Sequence, residues 1–158
     1  MKFKFMILLI ALPLSVLADI EGKVVRILDG DTLDVLQEGN KISRIRLEGI
    51  DAPEKSQPYG QRSRQMLTML TANKWVNVKS HGSDRYSRIL GEVYSPDSIN
   101  EKMITTGMAW AYRYHGKPTN EKYVTLENKA RSEKKGFGLI LMLLNLGNGE
   151  EIINNFIL

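Results

Sequence analysis

An α+β fold that is mainly β, a five-stranded barrel with three helices, is predicted by three observations on the sequence. Five short runs rich in β-branched or alternating apolar residues are separated by turn residues. A helical pattern falls between the third and fourth runs, and the chain after the fifth run reads as helix.

Lys23 to Leu28 and Thr32 to Leu36 are the first two strands, separated by Asp29-Gly30-Asp31, where Gly30 is free to take a positive φ in a tight turn. A Glu38-Gly39-Asn40 turn leads into Ile42 to Leu47. There Ile45 and Leu47 alternate with Arg44 and Arg46, so this strand has one buried and one basic face. Gln61 to Ala72 places Met66, Leu67 and Leu70 at helical spacing, Trp75 to Lys79 alternates again, and Arg88 to Tyr94 is the fifth strand. Five strands with a helix between the third and fourth is the order of a small Greek-key barrel, the OB-fold. Ser98-Ile99-Asn100-Glu101 then reads as a capping box for a second helix that Gly107 ends. A third helix is expected from Thr119 to Lys135, with Tyr123, Leu126 and Ala130 on one face and Gly136 as its stop. No repeat or linker divides residues 19–138, which are read as one domain.

The two flanks read differently. Lys2 and Lys4, an apolar stretch from Met6 to Leu17 and the small residue Ala18 form the pattern of a secretory signal peptide, residues 1–18, cut before Asp19. The stretch is too short for a spanning anchor, so a secreted or periplasmic protein without stable membrane insertion is expected. Residues 139–158 form an apolar C-terminal tail containing Leu139-Ile140-Leu141-Met142-Leu143-Leu144, also too short to span. Three readings of it stand: core packing, an exposed patch for a partner or lipid surface, or a replaced reading frame.

Composition narrows the chemistry. The net charge of +4 falls to +2 when Lys2 and Lys4 leave, so basicity is modest. An exported chain with no cysteine holds its fold by packing alone, and thiol or Cys-zinc chemistry is excluded. With only His81 and His115, a histidine-rich metal site or His-based triad is poorly supported.

Three segments carry candidate chemistry: Asp29-Gly30-Asp31-Thr32, Arg46 through Glu54, and Asp84-Arg85-Tyr86-Ser87-Arg88. Asp31 lies at a strand junction and Asp51 just past the basic-faced strand. If the two strands pair, both carboxylates can open on one rim, and with a backbone carbonyl and waters they suit Ca²⁺, which takes oxygen ligands in loose geometry. Taken alone, Asp-Gly-Asp is equally an ordinary turn. Glu54 is either a solvated carboxylate near a helix start or a part of the same site. Arg46 and Arg88 offer planar bidentate donors to phosphate oxygens.

Taken together these segments, with Tyr59-Gly60 and Asn100 through Ala109, resemble the thermonuclease family, of which staphylococcal nuclease is a member, from about Gly22 to Gly136. The resemblance implies an OB-fold enzyme that hydrolyses DNA and RNA with calcium, leaving 3′-phosphates and 5′-hydroxyls. It implies Asp31, Asp51 and the backbone carbonyl of Ala52 as calcium ligands. Glu54 would orient or deprotonate the attacking water, and Arg46 and Arg88 would hold the phosphate, with Arg88 assisting departure of the 5′ oxygen. Tyr86, Tyr112 and Tyr114 would line the nucleotide pocket, although tyrosines in this setting also serve simply as core cover. Single strands are the expected preferred substrate, and a monomer is expected.

Two departures from the family pattern stand out. Ser87 replaces the usual glycine before Arg88, and the chain after Gly138 lacks the family's tryptophan and polar tail. The rival reading is a non-catalytic OB-fold module for single-stranded nucleic acid. Asp31, Asp51 and Glu54 speak against it, because they repel a phosphate backbone unless a cation bridges them. An acid-dyad hydrolase on Asp29 and Asp31 is the second, disfavoured rival.

Overall fold

The computed structural model describes residues 19–136 and residue 138. The expected signal, residues 1–18, and the apolar tail, residues 139–158, lie outside the described residues.

Five strands close a barrel: β1 (Ile20–Ile27), β2 (Thr32–Leu36), β3 (Ile42–Leu47), β5 (Trp75–Ser83) and β6 (Ile89–Tyr94), in the order β1-β2-β3-β6-β5. All neighbours run antiparallel except β3 and β6, which are parallel. That mixed closure with the helix α1 (Gly60–Thr71) between β3 and β5 is the expected OB-type barrel. A two-residue strand β4 (Ile50–Asp51) leaves the barrel and pairs with β7 (Trp110–Ala111). The chain then makes a small ribbon from β8 (Arg113–Tyr114) and β9 (Lys117–Pro118).

The core follows from period-two alternation. Leu33 and Val35 on β2, Ile45 and Leu47 on β3, and Val76 and Val78 on β5 point inward and are almost fully buried. Helices close the barrel ends: Leu67 of α1, Met103 and Ile104 of α2 (Ile99–Thr105), and Tyr123 of α3 (Glu121–Ser132) join the same cluster. Burying each such aliphatic side chain contributes about 1.5–3 kcal/mol. Among the described residues every buried side-chain nitrogen and oxygen has a partner.

The strand limits differ from the sequence reading at three points. β1 begins at Ile20 because Ile20 through Lys23 pair with Val78 through Trp75. β5 runs on to Ser83 through a bulge between Ser80 and Gly82, which keeps it paired with β6. β6 starts only at Ile89, leaving Arg88 in the preceding turn.

The helices also differ in detail. Ser98 Oγ accepts the Glu101 amide at 3.3 Å, but the Glu101 carboxylate pairs with Lys122 at 2.6 Å rather than reaching back, so half of the capping box forms. α3 is shorter than expected, since Asn120 caps it by accepting the amides of Lys122 and Tyr123. Tyr123 and Ala130 are buried as expected, and so is Glu127, which the periodicity did not mark. Asn100 on α2 is fully buried and ties the layers together. Its Oδ1 accepts from Val93 N at 3.0 Å, and its Nδ2 donates to Glu48 O at 2.9 Å.

Candidate active site

The β2–β3 hairpin places Thr32 opposite Arg46, and Leu47 N donates to Asp31 O at 2.8 Å, so Asp31 and Arg46 adjoin at one rim. Arg46 Nη2 then lies 3.2 Å from Asp31 Oδ2 and 2.9 Å from Asp51 Oδ1. Its Nη1 donates to Ile50 O at 3.1 Å. One guanidinium therefore binds the first and second sequence segments into a single cluster.

Asp31 is held from several sides. Thr32 Oγ1 donates to its Oδ1 at 2.8 Å, Ala52 N donates to its Oδ2 at 3.2 Å, and its own amide donates to Asp29 Oδ1 at 3.1 Å. Asp29 thus serves as a turn-forming acceptor. Gly30 is required here for space rather than for a positive φ. A Cβ at this position would lie 1.9 Å from Ser63 Oγ and 2.8 Å from Ala52 Cβ, so glycine lets α1 and the Ala52 loop close over Asp31.

Burial pushes the Asp31 carboxyl up to about 6, with Asp29 and Asp51 acting in the same direction and Arg46 and Thr32 opposing them. A carboxylate this enclosed, only 6 % exposed, with two other acids nearby, is a place that favours a cation. Arg46 already supplies one. The donor chemistry fits a hard metal ion, since Asp31, Asp51 and backbone carbonyls are oxygen ligands. Among the described residues no three His, Cys, Asp or Glu side chains converge as a metal cage, so the protein's share would be the two carboxylates and main chain.

The other arginine is placed by a local loop. Asp84 Oδ2 accepts from Arg88 Nε at 2.8 Å and Nη2 at 2.7 Å, while Asp84 Oδ1 accepts the amides of Tyr86 at 2.8 Å and Arg88 at 3.0 Å. Although burial acts to raise it, the Asp84 carboxyl is held below its usual range by these Arg88 and Tyr86 bonds. Ser87 sits at φ +60°, the left-handed conformation its replacement of glycine implied.

Arg46, Arg88, Tyr86, Tyr112 and Tyr114 line one cleft of about 570 Å³. Tyr86 and Tyr114 are largely exposed there, at 64 % and 63 %, so they are not core cover. The Arg46 guanidinium lies 5.8 Å from the Tyr112 ring, and Arg85 and Arg88 lie 4.8 and 5.5 Å from that of Tyr86. Glu54 stands apart. It is exposed on the loop before α1, where its amide donates to Gln57 Oε1 at 2.7 Å, and it lines a neighbouring recess with Asp29, Lys55 and Gln61.

Sequence reasoning missed several contributors. Glu48, Arg85 and Leu90 also line the cleft, and the Arg44, Arg46, Glu48 alternation carried the signal for the first. Buried Glu127 anchors the segment that carries Tyr112 and Tyr114, accepting from Ala111 N at 3.0 Å and pairing with Arg113 at 3.0 Å and Arg131 at 2.7 Å. No periodic pattern reveals such a network.

A closed five-stranded barrel with acids, paired arginines and exposed tyrosines on one rim defines the phosphodiester-handling class of OB-fold proteins. The sequence model of a family described as staphylococcal nuclease homologue matches residues 44–138. A micrococcal nuclease of Shigella flexneri is 48% identical over 129 residues, covering 75% of this chain and 74% of the relative. A protein described as an uncharacterized endonuclease of Escherichia coli is 48% identical over 121 residues, covering 75% and 77%. The chain belongs to the staphylococcal nuclease homologue family.

Proposed function

We propose that this protein is an exported, calcium-dependent endonuclease that hydrolyses phosphodiester bonds of DNA and RNA, with a preference for single strands. It is an endonuclease of the micrococcal nuclease type, and nucleic acid is its substrate. The observation that carries the reading is the double position of Arg46, ion-paired with Asp31 and Asp51 on one side and lining the tyrosine cleft with Arg88 on the other.

Asp31, Asp51 and the carbonyl of Ala52 would hold the calcium ion. When bound, the ion polarises the phosphoryl oxygen and helps orient water. Arg46 and Arg88 neutralise the charge that grows on the phosphate oxygens as water attacks, and each such donor is typically worth about 3 kcal/mol. Glu54, which makes no ion pair among the described residues, takes the proton of the attacking water. The 5′ oxygen leaves opposite the attack with help from Arg88, giving a 3′-phosphate and a 5′-hydroxyl. Tyr86, Tyr112 and Tyr114 stack on or bond to the substrate, and their exposed faces suit splayed bases of a single strand better than a duplex.

Residues 19–138 form the catalytic domain, which the family match ending at residue 138 supports. Residues 1–18 direct export to the periplasm or medium, and the mature protein acts as a monomer. Among the described residues no helix is long and apolar enough to cross a membrane.

The test is to incubate the mature protein with single-stranded DNA and RNA, with calcium or with a calcium chelator, and to identify the product ends. Cleavage that needs calcium and leaves 5′-hydroxyls is expected. Cleavage indifferent to the chelator, or 5′-phosphate products, would sink the mechanism. Truncation after Gly138 keeps the activity if the tail is dispensable, whereas an unfolded truncated protein counts against that boundary.

A further inference from the structure

β7 pairs with β4 along one edge, and its other edge meets no strand among the described residues. Tyr112 N donates to Gly49 O at 2.9 Å, so Gly49 and Tyr112 form a hydrogen-bonded pair and Ile50 and Ala111 the non-bonded pair beside it. The N–H and C=O of Ala111 therefore point away from β4. Ala111 is fully buried, so both groups need a partner within the protein.

Two side chains supply those partners. Glu127 Oε2 accepts from Ala111 N at 3.0 Å, and Arg113 Nη1 donates to Ala111 O at 2.7 Å. Arg113 Nη2 also donates to Glu127 Oε2 at 3.0 Å, so the two side chains hold each other in register. Together they present one acceptor and one donor to a single residue, as a neighbouring strand does in a ladder. Arg131 differs. It bonds Glu127 Oε1 at 2.7 Å, and among the described residues its side chain bonds nothing on β7.

The strand held in this way carries part of the candidate site. Asp51 on β4 lies opposite Trp110, and its Oδ1 is the 2.9 Å partner of Arg46. Tyr112 follows Ala111 directly, with its ring 5.8 Å from the Arg46 guanidinium. A ladder of two short strands is marginal by itself, so its closure depends on what covers the second edge.

We propose that Arg113 and Glu127 are positioning residues that stand in for a missing strand on β7 and so fix Asp51 and Tyr112 against Arg46. The inference rests on the nuclease reading of the site and on Asp51 as a calcium ligand. Groups that hold a metal ligand from behind typically change metal affinity or activity by about 10- to 100-fold.

The experiment compares Arg113→Met with Arg131→Met in the mature chain, because each removes one arginine from Glu127 and only the first opens Ala111. Calcium affinity is measured by calorimetry, kcat and KM on single-stranded DNA, and amide hydrogen exchange at Ala111 and Tyr112, all where both variants are folded. Arg113→Met should weaken calcium binding roughly tenfold, lower kcat at least about tenfold with a smaller change in KM, and speed exchange at both amides. Arg131→Met should lower the urea midpoint and leave those quantities near the values of the unsubstituted protein. Arg113→Lys, a point charge without the planar fork, should fall between the two. Equal effects of the two Met variants on kcat and calcium affinity overturn the proposal, as does unaltered exchange at Tyr112 in Arg113→Met. If Arg113→Met does not fold, Arg113→Lys takes its place, and values matching those of Arg131→Met overturn the proposal. An unsubstituted protein that neither binds calcium nor cleaves DNA overturns the nuclease reading. Faster exchange confined to the Arg113 variants then still upholds the substitute strand, and unaltered exchange overturns it as well.

Discussion

The two arginines of the site are held in opposite ways. Arg46 is a strand residue whose acidic partners come from a different strand junction and from β4, and its side chain is only 16 % exposed. Arg88 is a turn residue whose partner, Asp84, lies four positions back and also binds the turn's own amides. The first arrangement depends on the barrel closing, and the second is a self-contained loop carried on the barrel. The difference teaches that equal proposed roles toward a phosphate need not mean equal roles in stability, because a charge cluster assembled from separate strands is coupled to barrel closure while one made within a single turn is local to that turn.

The largest expected effect sharpens this contrast. Arg46→Ala and Arg88→Ala should each lower kcat by a hundredfold or more, about 3 kcal/mol in the transition state, with smaller changes in substrate binding. Only Arg46→Ala should also destabilise the calcium-free protein markedly, by about 3 kcal/mol in urea unfolding, because it leaves Asp31 and Asp51 uncompensated. Equal stability losses in the two variants would break the comparison. Glu54→Gln should retain calcium-dependent binding of substrate and lose most turnover, and unchanged turnover would remove Glu54 from its role.

The second effect is a pH dependence of opposite sign on the two sides, since the lowered Asp84 carboxyl beside Arg88 loses its contribution as pH falls whereas Asp31 beside Arg46 loses its own as pH rises. The Asp31 carboxyl is raised from 3.8 to about 6 in the folded chain, so the folded state holds its proton more tightly than the unfolded state does. Its contribution is fully present below about pH 4 and is lost as pH rises toward 6, amounting to about 3 kcal/mol. Calcium-free protein should therefore lose stability across that window in unfolding titrations, and Asp31→Asn should flatten the change. A profile in which stability instead rises between pH 4 and 6 through this residue would contradict the assignment. The smallest effect concerns the loop. Ser87→Gly relieves a left-handed backbone of roughly 1 kcal/mol, which should raise the melting temperature slightly and leave Asp31's pH window untouched.

Much of this was legible beforehand for physical reasons. Alternation at Ile45 and Leu47 decided which face of β3 is buried, and the same alternation sent Arg46 to the rim. Gly107 stopped α2 at φ +70° as a helix-ending glycine does. Gly30 was misread because its constraint is the approach of Ser63, thirty-three positions away, and not its own dihedral. Glu127 and Asn100 were unreadable as anchors, since a buried polar residue looks like a surface one until its partners are known.

The sequence by itself determined the five barrel strands, the three helices, the acids and arginines of the candidate site and the family, because local periodicity and residue chemistry are written in neighbouring positions; the short strands β4, β7, β8 and β9 were not among them. Only the tertiary structure decided which of those groups meet. It joined Asp31, Arg46 and Asp51, set Glu54 in an adjoining recess, and put Glu48 in the cleft beside the tyrosines. Distances between residues far apart in the chain are set by barrel closure and packing, which no short stretch of sequence encodes.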